Sequence, residues 1–441
     1  MNENQFETEL IQYLSSGTIT EPGNLKGKGC LQEGPNYIVK KKLWKYESEI
    51  KTTEQLWENF KDILERHNQS TLEHPLSVVE FNQVKKIISD IKTPYEGGQF
   101  LYGLNGVSQI EIDLDDGRHV FLTVFDQKQI GAGDTVYQVV NQIERPAKII
   151  GKQNRRFDTT LLINGLPIIQ IEEKRDTHDV EEALNQMHQY IDENQYSDIF
   201  STLQILVAIT PNNVKYMANT TTEKFNKDFA FNWQRKGDNE IVRNWKEFAD
   251  SMLSIPMAHQ MATNYMILDG TKNNQTLKVM RPYQVYATQN IIEKLKKVDF
   301  NLGINKVGYI WHTTGSGKTI TSFKTAWLAS RMPNVDKVVF VVDRIALTKQ
   351  TNENYRAYDP DSTDDIEGSV RDTNNTTDLS RKIKSKDNNI IVTSVQKLET
   401  LVKRKSFKSP DKNIVFIVDD ERVIIRTKLE KPSKIKGLAL I

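Results

Sequence analysis

Apolar residues recur along this chain with two periods, and the period changes with position. In 4–15, Phe6, Leu10, Ile11 and Leu14 fall on one stripe, which predicts an amphipathic helix. After a glycine-bearing stretch to about Tyr37, Trp57, Phe60, Ile63 and Leu64 mark a second helix ending near His67-Asn68, and 78–94 reads as a third. From Gly97 to Val139 the texture turns to strand-like alternation, with Ile110, Ile112 and HVFLTVF at 119–125. TVYQVVNQIE at 135–144 is a further strand. Two short apolar runs follow, 159–163 and 166–171, joined by Asn164-Gly165. Asn-Gly between β-rich runs predicts a tight hairpin, because both central residues of a type I′ turn need positive φ. Helical spacing returns at 180–193 through Val180, Ala183, Leu184, Met187 and Ile191, and QILVAIT at 204–210 reads as a buried strand. A helix is predicted at 251–268, then a polar linker at 269–275.

Beyond the linker the pattern is strand, loop, helix, repeated. VGYIWHTTGSGKT at 307–319 predicts a strand running through a glycine loop into a helix at 318–330. KVVFVVDRIALTKQ (337–350), NNIIVTSVQKL (388–398) and NIVFIVDD (413–420) add three buried strands, two of them followed by helical patterns. Strands alternating with helices imply a doubly wound parallel sheet with ligands at the strand C-termini. The expected fold is α/β throughout: a mixed sheet with flanking helices over 1–268, a parallel-sheet domain over 269–418, and a tail at 419–441 that fits neither.

Composition narrows this picture. A length of 441 residues suits two or three domains, and 38% hydrophobic residues suffice for their cores. Net charge is +1, so any contact with nucleic acid has to come from local basic patches. The single cysteine, Cys30, excludes a disulfide framework within the chain and fits a reducing cytoplasm. MNENQFETEL lacks the basic start and apolar run of a signal peptide, and no run of about 18 apolar residues predicts a membrane span.

The hairpin carries the first candidate chemistry. Asp158 opens its first strand, Glu172 and Glu173 close the second, and Lys174 follows directly. Carboxylates gathered at the end of a buried hairpin call for a cation, and Mg²⁺ takes carboxylate oxygens while keeping positions for water and phosphate. In an unbroken two-residue hairpin Ile163 pairs with Leu166, so Asp158 lies opposite Ile171 and shares a face with Glu173. Bringing Asp158 to Glu172 requires a bulge, a longer turn or a splayed strand, and such an irregularity is expected.

These residues resemble the core of the PD-(D/E)xK nucleases, with Asp158, Glu172 and Lys174 in the motif positions and Phe157 where the family usually has proline. The resemblance implies that the two carboxylates hold Mg²⁺ and that the lysine orients the attacking water and neutralises charge. Gln186 and Tyr190, four apart on the following helix, look like the QxxxY accessory motif of the RecB-like branch, which lies near the active site. Related nucleases often carry an acid on their first helix near the metal; Glu7 or Glu9 is the candidate, against a solvated helix face. WQRKGDNEIVRNW at 233–245 combines basic and aromatic residues suited to DNA, with a surface loop as its other reading.

The second motif is a phosphate-binding loop. Gly315 and Gly317 let the backbone turn so that successive N–H groups face inward, and the helix N-terminus adds its positive dipole end. Lys318 is placed for the β- and γ-phosphates of ATP and the Thr319 hydroxyl for Mg²⁺. Thr314, Gly315, Ser316, Gly317, Lys318 and Thr319 form the version typical of superfamily 2 helicases, with His312 replacing the first glycine of the general pattern. Arg281-Pro282-Tyr283-Gln284 resembles the Q motif, in which Gln284 reads the adenine edge. Asp343-Arg344 resembles motif Ia, Thr393 and Gln396 the next DNA-facing motif, and Asp419-Asp420 the acids of Walker B.

In this order the two units resemble the endonuclease subunit of type I restriction enzymes. That resemblance implies double-stranded DNA, ATP and Mg²⁺ as ligands, and methyltransferase and specificity subunits as partners that together recognise an unmethylated site. The match breaks at Asp419-Asp420-Glu421-Arg422, which lacks the family's following histidine, and VIIRTKLEKPSKIKGLALI resembles nothing in a helicase. The expectation is a truncated frame with a shifted tail and no motor activity. A stand-alone repair helicase–nuclease and an inactive nucleotide- or DNA-binding remnant are the alternatives.

Overall fold

The computed structural model describes residues 2–16, 43–302, 304–313, 315–343, 345–362, 368–387, 389–408, 410–419 and 438–440. Cys30, Thr314, Arg344, Asp420, Glu421 and Arg422 lie outside the described residues. The chain divides into two compact units, Met1–Met266 with Leu277–Val279, and Ile267–Thr276 with Met280–Ile441.

The first unit runs α1 (Glu3–Ser16), β1 (Lys45–Tyr46), α2 (Thr53–His67), α3 (Val78–Ser89), α4 (Pro94–Tyr102), β2 (Val107–Asp113), β3 (His119–Asp126), β4 (Tyr137–Arg145), β5 (Arg155–Ile163), β6 (Leu166–Glu173), α5 (Val180–Asp192), β7 (Ile205–Thr210), β8 (Asn213–Ala218), α6 (Trp245–Ser251) and α7 (Met257–Ala262). Its main sheet has the order β1-β4-β5-β6-β7-β8. β4, β5 and β6 are antiparallel neighbours, β6 and β7 are parallel, and β7 and β8 antiparallel. All eight residues of β6 are buried, which explains why its sequence reads as an apolar run rather than an alternation.

Helix starts are set by local caps. Thr52, Ser77 and Thr93 each accept from the N3 backbone while Gln55, Glu80 and Glu96 reach back. The third box corrects two expectations: the helix predicted at 78–94 stops at Ser89, and 97–102 belong to a helix rather than a strand. Pro94 has no N–H and pushes Thr93 into extended backbone, so the chain restarts a helix there. The helix predicted at 251–268 is likewise cut down, to Met257–Ala262. α6 ends at Ser251, Pro256 precedes the short α7, and β9 (Met266–Asp269) begins in its place.

β10 (Thr276–Val279) follows where the chain passes between units. The second unit continues with α8 (Pro282–Leu295), β11 (Ile304–Lys306), α9 (Lys318–Ser330), β12 (Lys337–Val342), α10 (Ile345–Tyr358), β13 (Val370–Arg371), α11 (Thr376–Lys384), β14 (Ile390–Ser394), α12 (Val395–Lys403), β15 (Ile414–Val418) and β16 (Leu438–Leu440). All strands pair in parallel in the order β11-β16-β15-β12-β14-β13. Val339, Val341, Ile391 and Phe416 from the sheet pack on Leu379, Ile383 and Leu398 from α11 and α12.

One element departs from expectation here. Residues 307–313 are not a strand, and Tyr309 and Trp311 are 87% and 84% exposed. The edge of β15 that does not pair with β12 is taken by β16, Ile414 against Leu438. With that ladder position filled, the apolar run before the loop has no strand partner among the described residues.

Candidate active site and phosphate-binding loop

The hairpin turn forms as its residues require. Asn164 has φ 52° and Gly165 φ 81°, and Ile163 pairs with Leu166. The register then slips. Leu162 pairs with Pro167 but Leu161 with Ile169, leaving Ile168 as an extra residue. Pro167 cannot donate a ladder hydrogen bond, so the bulge forms where pairing is weakest. Beyond it Thr160 faces Gln170 and Thr159 faces Ile171. Continuing one step brings Asp158 beside Glu172, which the unbroken hairpin would have denied. The irregularity required by the sequence is thus a bulge at Ile168.

Three side chains converge there. Glu172 is fully buried. Lys174 Nζ donates to Glu172 Oε1 at 3.2 Å, to Glu3 Oε1 at 3.0 Å and to the Glu173 carbonyl at 2.9 Å. Asp158 Oδ2 accepts the Glu173 backbone N–H at 3.0 Å. Burial, more than its neighbours, pushes the Asp158 carboxyl up to about 6. Burial and then the Asp158 charge push Glu172 and Glu173 well above the ordinary glutamate value. Burial works against the Lys174 ammonium, but Glu172 and Asp158 outweigh it and hold its pKa above normal. Glu172 Oε2 is buried without a hydrogen-bond partner. An orphaned carboxylate oxygen beside a second, half-buried carboxyl fits a hard divalent cation. Among the described residues no three His, Cys, Asp or Glu side chains form a ready metal cage. Asp158 and Glu172 would therefore hold Mg²⁺ with water completing its shell, as that ion prefers.

Helix α1 lies against this pocket. Of the two acids left open by the sequence, Glu7 is buried and accepts from Asn141 Nδ2 at 2.6 Å and Gln142 Nε2 at 2.7 Å, whereas Glu9 is only half-buried and accepts from Gln5 Nε2 within its own helix. Gln142 has φ 57° in the middle of β4, between the pairs Asn141–Thr159 and Ile143–Phe157, hence opposite Asp158. Glu3, the partner of Lys174, was not singled out in the sequence, because nothing local distinguishes it from the other acids of α1.

Gln186 Nε2 donates to the Tyr190 hydroxyl, and the Tyr190 ring lies 5.0 Å from that of Phe157 in the core. Burial and then the Glu172 charge raise the Tyr190 pKa, so the phenol stays neutral. Phe157 itself is completely buried. The aromatic residues of 233–245 do not face solvent: Trp233 and Trp245 are core residues, and Arg235 is paired with Glu247 at 2.6 Å.

In the second unit Gly315 and Gly317 both have positive φ, 79° and 81°, and Gly317 caps α9. Tyr283 donates its hydroxyl to the Ser316 carbonyl at 2.6 Å, and Gln284 Nε2 donates to the same oxygen at 3.0 Å. Gln284 Oε1 accepts from the Arg281 N–H at 2.9 Å. The Gln284 amide is thus committed to holding the loop. Any side chain at Gly317 would strain its φ of 81°, and its Cβ, 2.3 Å from Gln284 Nε2, would push away the amide that holds the loop. His312 Nδ1 lies 3.0 Å from Ser316 Oγ, a brace where the general pattern has glycine. Lys318, half exposed, stands 3.6 Å from Asp419 Oδ1, and Thr319 follows it in the first turn of α9. Thr393 is fully buried and accepts from the Thr373 hydroxyl at 3.1 Å, so it does not face a DNA surface. Gln396 is exposed and donates to the Asp343 carbonyl at 3.0 Å.

Fold and site together define an α/β protein with a carboxylate–lysine pocket in a mixed sheet and a phosphate-binding loop beside a parallel sheet. Residues 35–225 match the family "Type I restriction enzyme R protein N terminus" and residues 277–424 the family "Type III restriction enzyme, res subunit". A type I restriction enzyme endonuclease subunit of Staphylococcus saprophyticus is 34% identical over 377 residues, 84% of this chain and 37% of that protein. One from Escherichia coli is 36% identical over 201 residues, 45% of this chain and 61% of that protein. The C-terminal part of a putative type I endonuclease subunit from Mycoplasma pneumoniae is 46% identical over 159 residues, 34% of this chain and 74% of that protein. The chain belongs to the family of type I restriction enzyme endonuclease subunits. It spans 37% of the length of the staphylococcal relative.

Proposed function

We propose that the first unit hydrolyses phosphodiester bonds of double-stranded DNA with Mg²⁺, and that the second binds ATP, within a restriction complex. The partners in this reading are the methyltransferase and specificity subunits, which select unmethylated foreign DNA. In the whole protein ATP drives translocation along the duplex. The observation that carries the reading is the meeting of Asp158, Glu172 and Lys174 through the Ile168 bulge.

Asp158 and Glu172 would hold the metal, which supplies Lewis-acid stabilisation of phosphate charge and an acidified water. Lys174, kept charged by its carboxylate neighbours, sets an ammonium at the mouth of the pocket to orient water and offset charge on the phosphate. Thr319 and Asp419 beside Lys318 would serve Mg²⁺–ATP at the loop, with Asp420 as the next acid in sequence.

The test is nicking of supercoiled plasmid with Mg²⁺. Wild type is expected to nick; Glu172→Gln and Lys174→Ala are expected to lose at least about 100-fold. Equal nicking by all three proteins overturns the assignment. Co-purification with methyltransferase and specificity subunits tests the partners.

A further inference from the structure

The segment that joins β4 to β5, with the first two residues of β5, reads PAKIIGKQNRR at 146–156 and holds four cations and no acid. It is built as a firm projection. Lys152 N–H donates to the Ile149 carbonyl at 3.1 Å, closing a turn in which Gly151 has φ 85°. Ala147 N–H donates to Asn154 Oδ1 at 3.0 Å across its base. Lys148 is paired with Asp198, and Arg155 makes two 2.6 Å bonds to the buried Glu193. At the tip Ile150 is fully exposed and Ile149 41% exposed. Lys152 is half exposed and stands 3.9 Å from Glu193, and Arg156 is exposed, with no ion pair among the described residues. Arg156 and Asp158 are two apart on β5, so they share a face and sit roughly 7 Å apart along the strand.

An apolar tip on a rigid turn, ringed by cations and rooted beside a carboxylate pocket, has the chemistry of a minor-groove wedge. Such wedges place aliphatic side chains against base steps and Lys or Arg on the flanking phosphates. We propose that 146–156 is a DNA-engaging arm of the nuclease unit: the Ile149-Ile150 turn enters the minor groove, while Lys152 and Arg156 take phosphates flanking the one held at Asp158 and Glu172. The proposal rests on the reading of that pocket as DNA-cleaving.

Binding of the full chain to a fluorescent duplex of about 30 base pairs, without divalent metal, tests it by anisotropy across salt concentrations. Lys152→Ala with Arg156→Ala is expected to weaken binding about tenfold and to lower the slope of log affinity against log salt by about two. Ile150→Ser is expected to weaken binding about threefold with the slope unchanged, since it removes no charge. Lys86→Ala, an exposed cation on α3, is expected to change nothing. Circular dichroism melts matched to wild type establish that the variants are folded. The arm is overturned if the double variant keeps the parent's affinity and slope, or if Lys86→Ala loses as much. Failure of the cleavage reading shows separately, in the parent's plasmid nicking.

Discussion

Lys174 and Glu3, 171 residues apart in the chain, meet at 3.0 Å over the carboxylate pocket. Glu3 is 45% exposed while Glu172, the other carboxylate on this ammonium, is fully buried. Glu3 is therefore the partner that an arriving phosphate can displace, and it aims the lysine until then. Glu3→Ala is expected to lower the rate of plasmid nicking about three- to tenfold with KM unchanged, far less than Lys174→Ala. A KM effect alone would assign Glu3 to DNA binding.

Glu172 supplies a pH prediction. Unfolded, its carboxyl loses its proton near pH 4.3; buried in the fold, it holds the proton to much higher pH. The folded state then binds more protons than the unfolded state above pH 4.3, so this group lowers stability as pH rises. Glu172→Gln removes that penalty. In EDTA the variant is expected to melt at or above wild type, with the gap widening from pH 5 to pH 8. Mg²⁺ is expected to raise the melting temperature of wild type and leave Glu172→Gln unmoved. Differential scanning calorimetry in EDTA and in Mg²⁺ reads both.

The hairpin turn is a backbone requirement. Gly165 has φ 81°, and a Cβ there would lie 2.9 Å from the Phe60 Cα. Gly165→Ala is expected to cost about 2 kcal/mol or more from the left-handed backbone and the contact with α2. Urea denaturation of the variant against wild type measures it; an unchanged midpoint would mean that the turn relaxes freely.

The loop brace makes Gln284 a positioning residue. Gln284→Ala removes the donor that fixes Ser316 and Gly317. Affinity for a fluorescent ATP analogue is expected to fall about tenfold, near 1.4 kcal/mol. Lys318→Ala is expected to fall at least as far. Full binding by Lys318→Ala would remove the loop from nucleotide recognition.

Lys324, in the second turn of α9, is buried and its pKa is lowered to about 7, chiefly by burial and then by Arg331. Here the unfolded state binds more protons between about pH 7 and the ordinary lysine value, so this group raises stability as pH climbs through that window. Lys324→Met is expected to flatten that rise and to stabilise the protein most at and below about pH 7. Melting temperatures of both proteins from pH 6.5 to 9.5 decide it.

Much of the fold was readable in order along the chain. The Asn164-Gly165 hairpin, the helix at Val180–Asp192 and the strands Lys337–Val342 and Ile414–Val418 follow from turn chemistry and apolar period, which act between near neighbours. Pro94–Tyr102 was misread because a proline and a capping box restart a helix there, and the helix expected at 251–268 shrinks to Met257–Ala262 behind Pro256. The strand expected at 307–313 failed for a different reason. Its apolar content is real, but its ladder position is filled by Leu438–Leu440, a pairing that no local signal encodes.

The sequence by itself determined the chemistry available: two carboxylates and a lysine around a tight hairpin, and a glycine loop opening a helix. Tertiary structure decided which of these groups meet. The bulge at Ile168 selects Glu172 as the neighbour of Asp158, and the docking of α1 brings Glu3 to Lys174 and Glu7 to Asn141 and Gln142. Side-chain period is local and fixed by backbone geometry, whereas register and helix docking depend on burial summed over residues far apart in sequence.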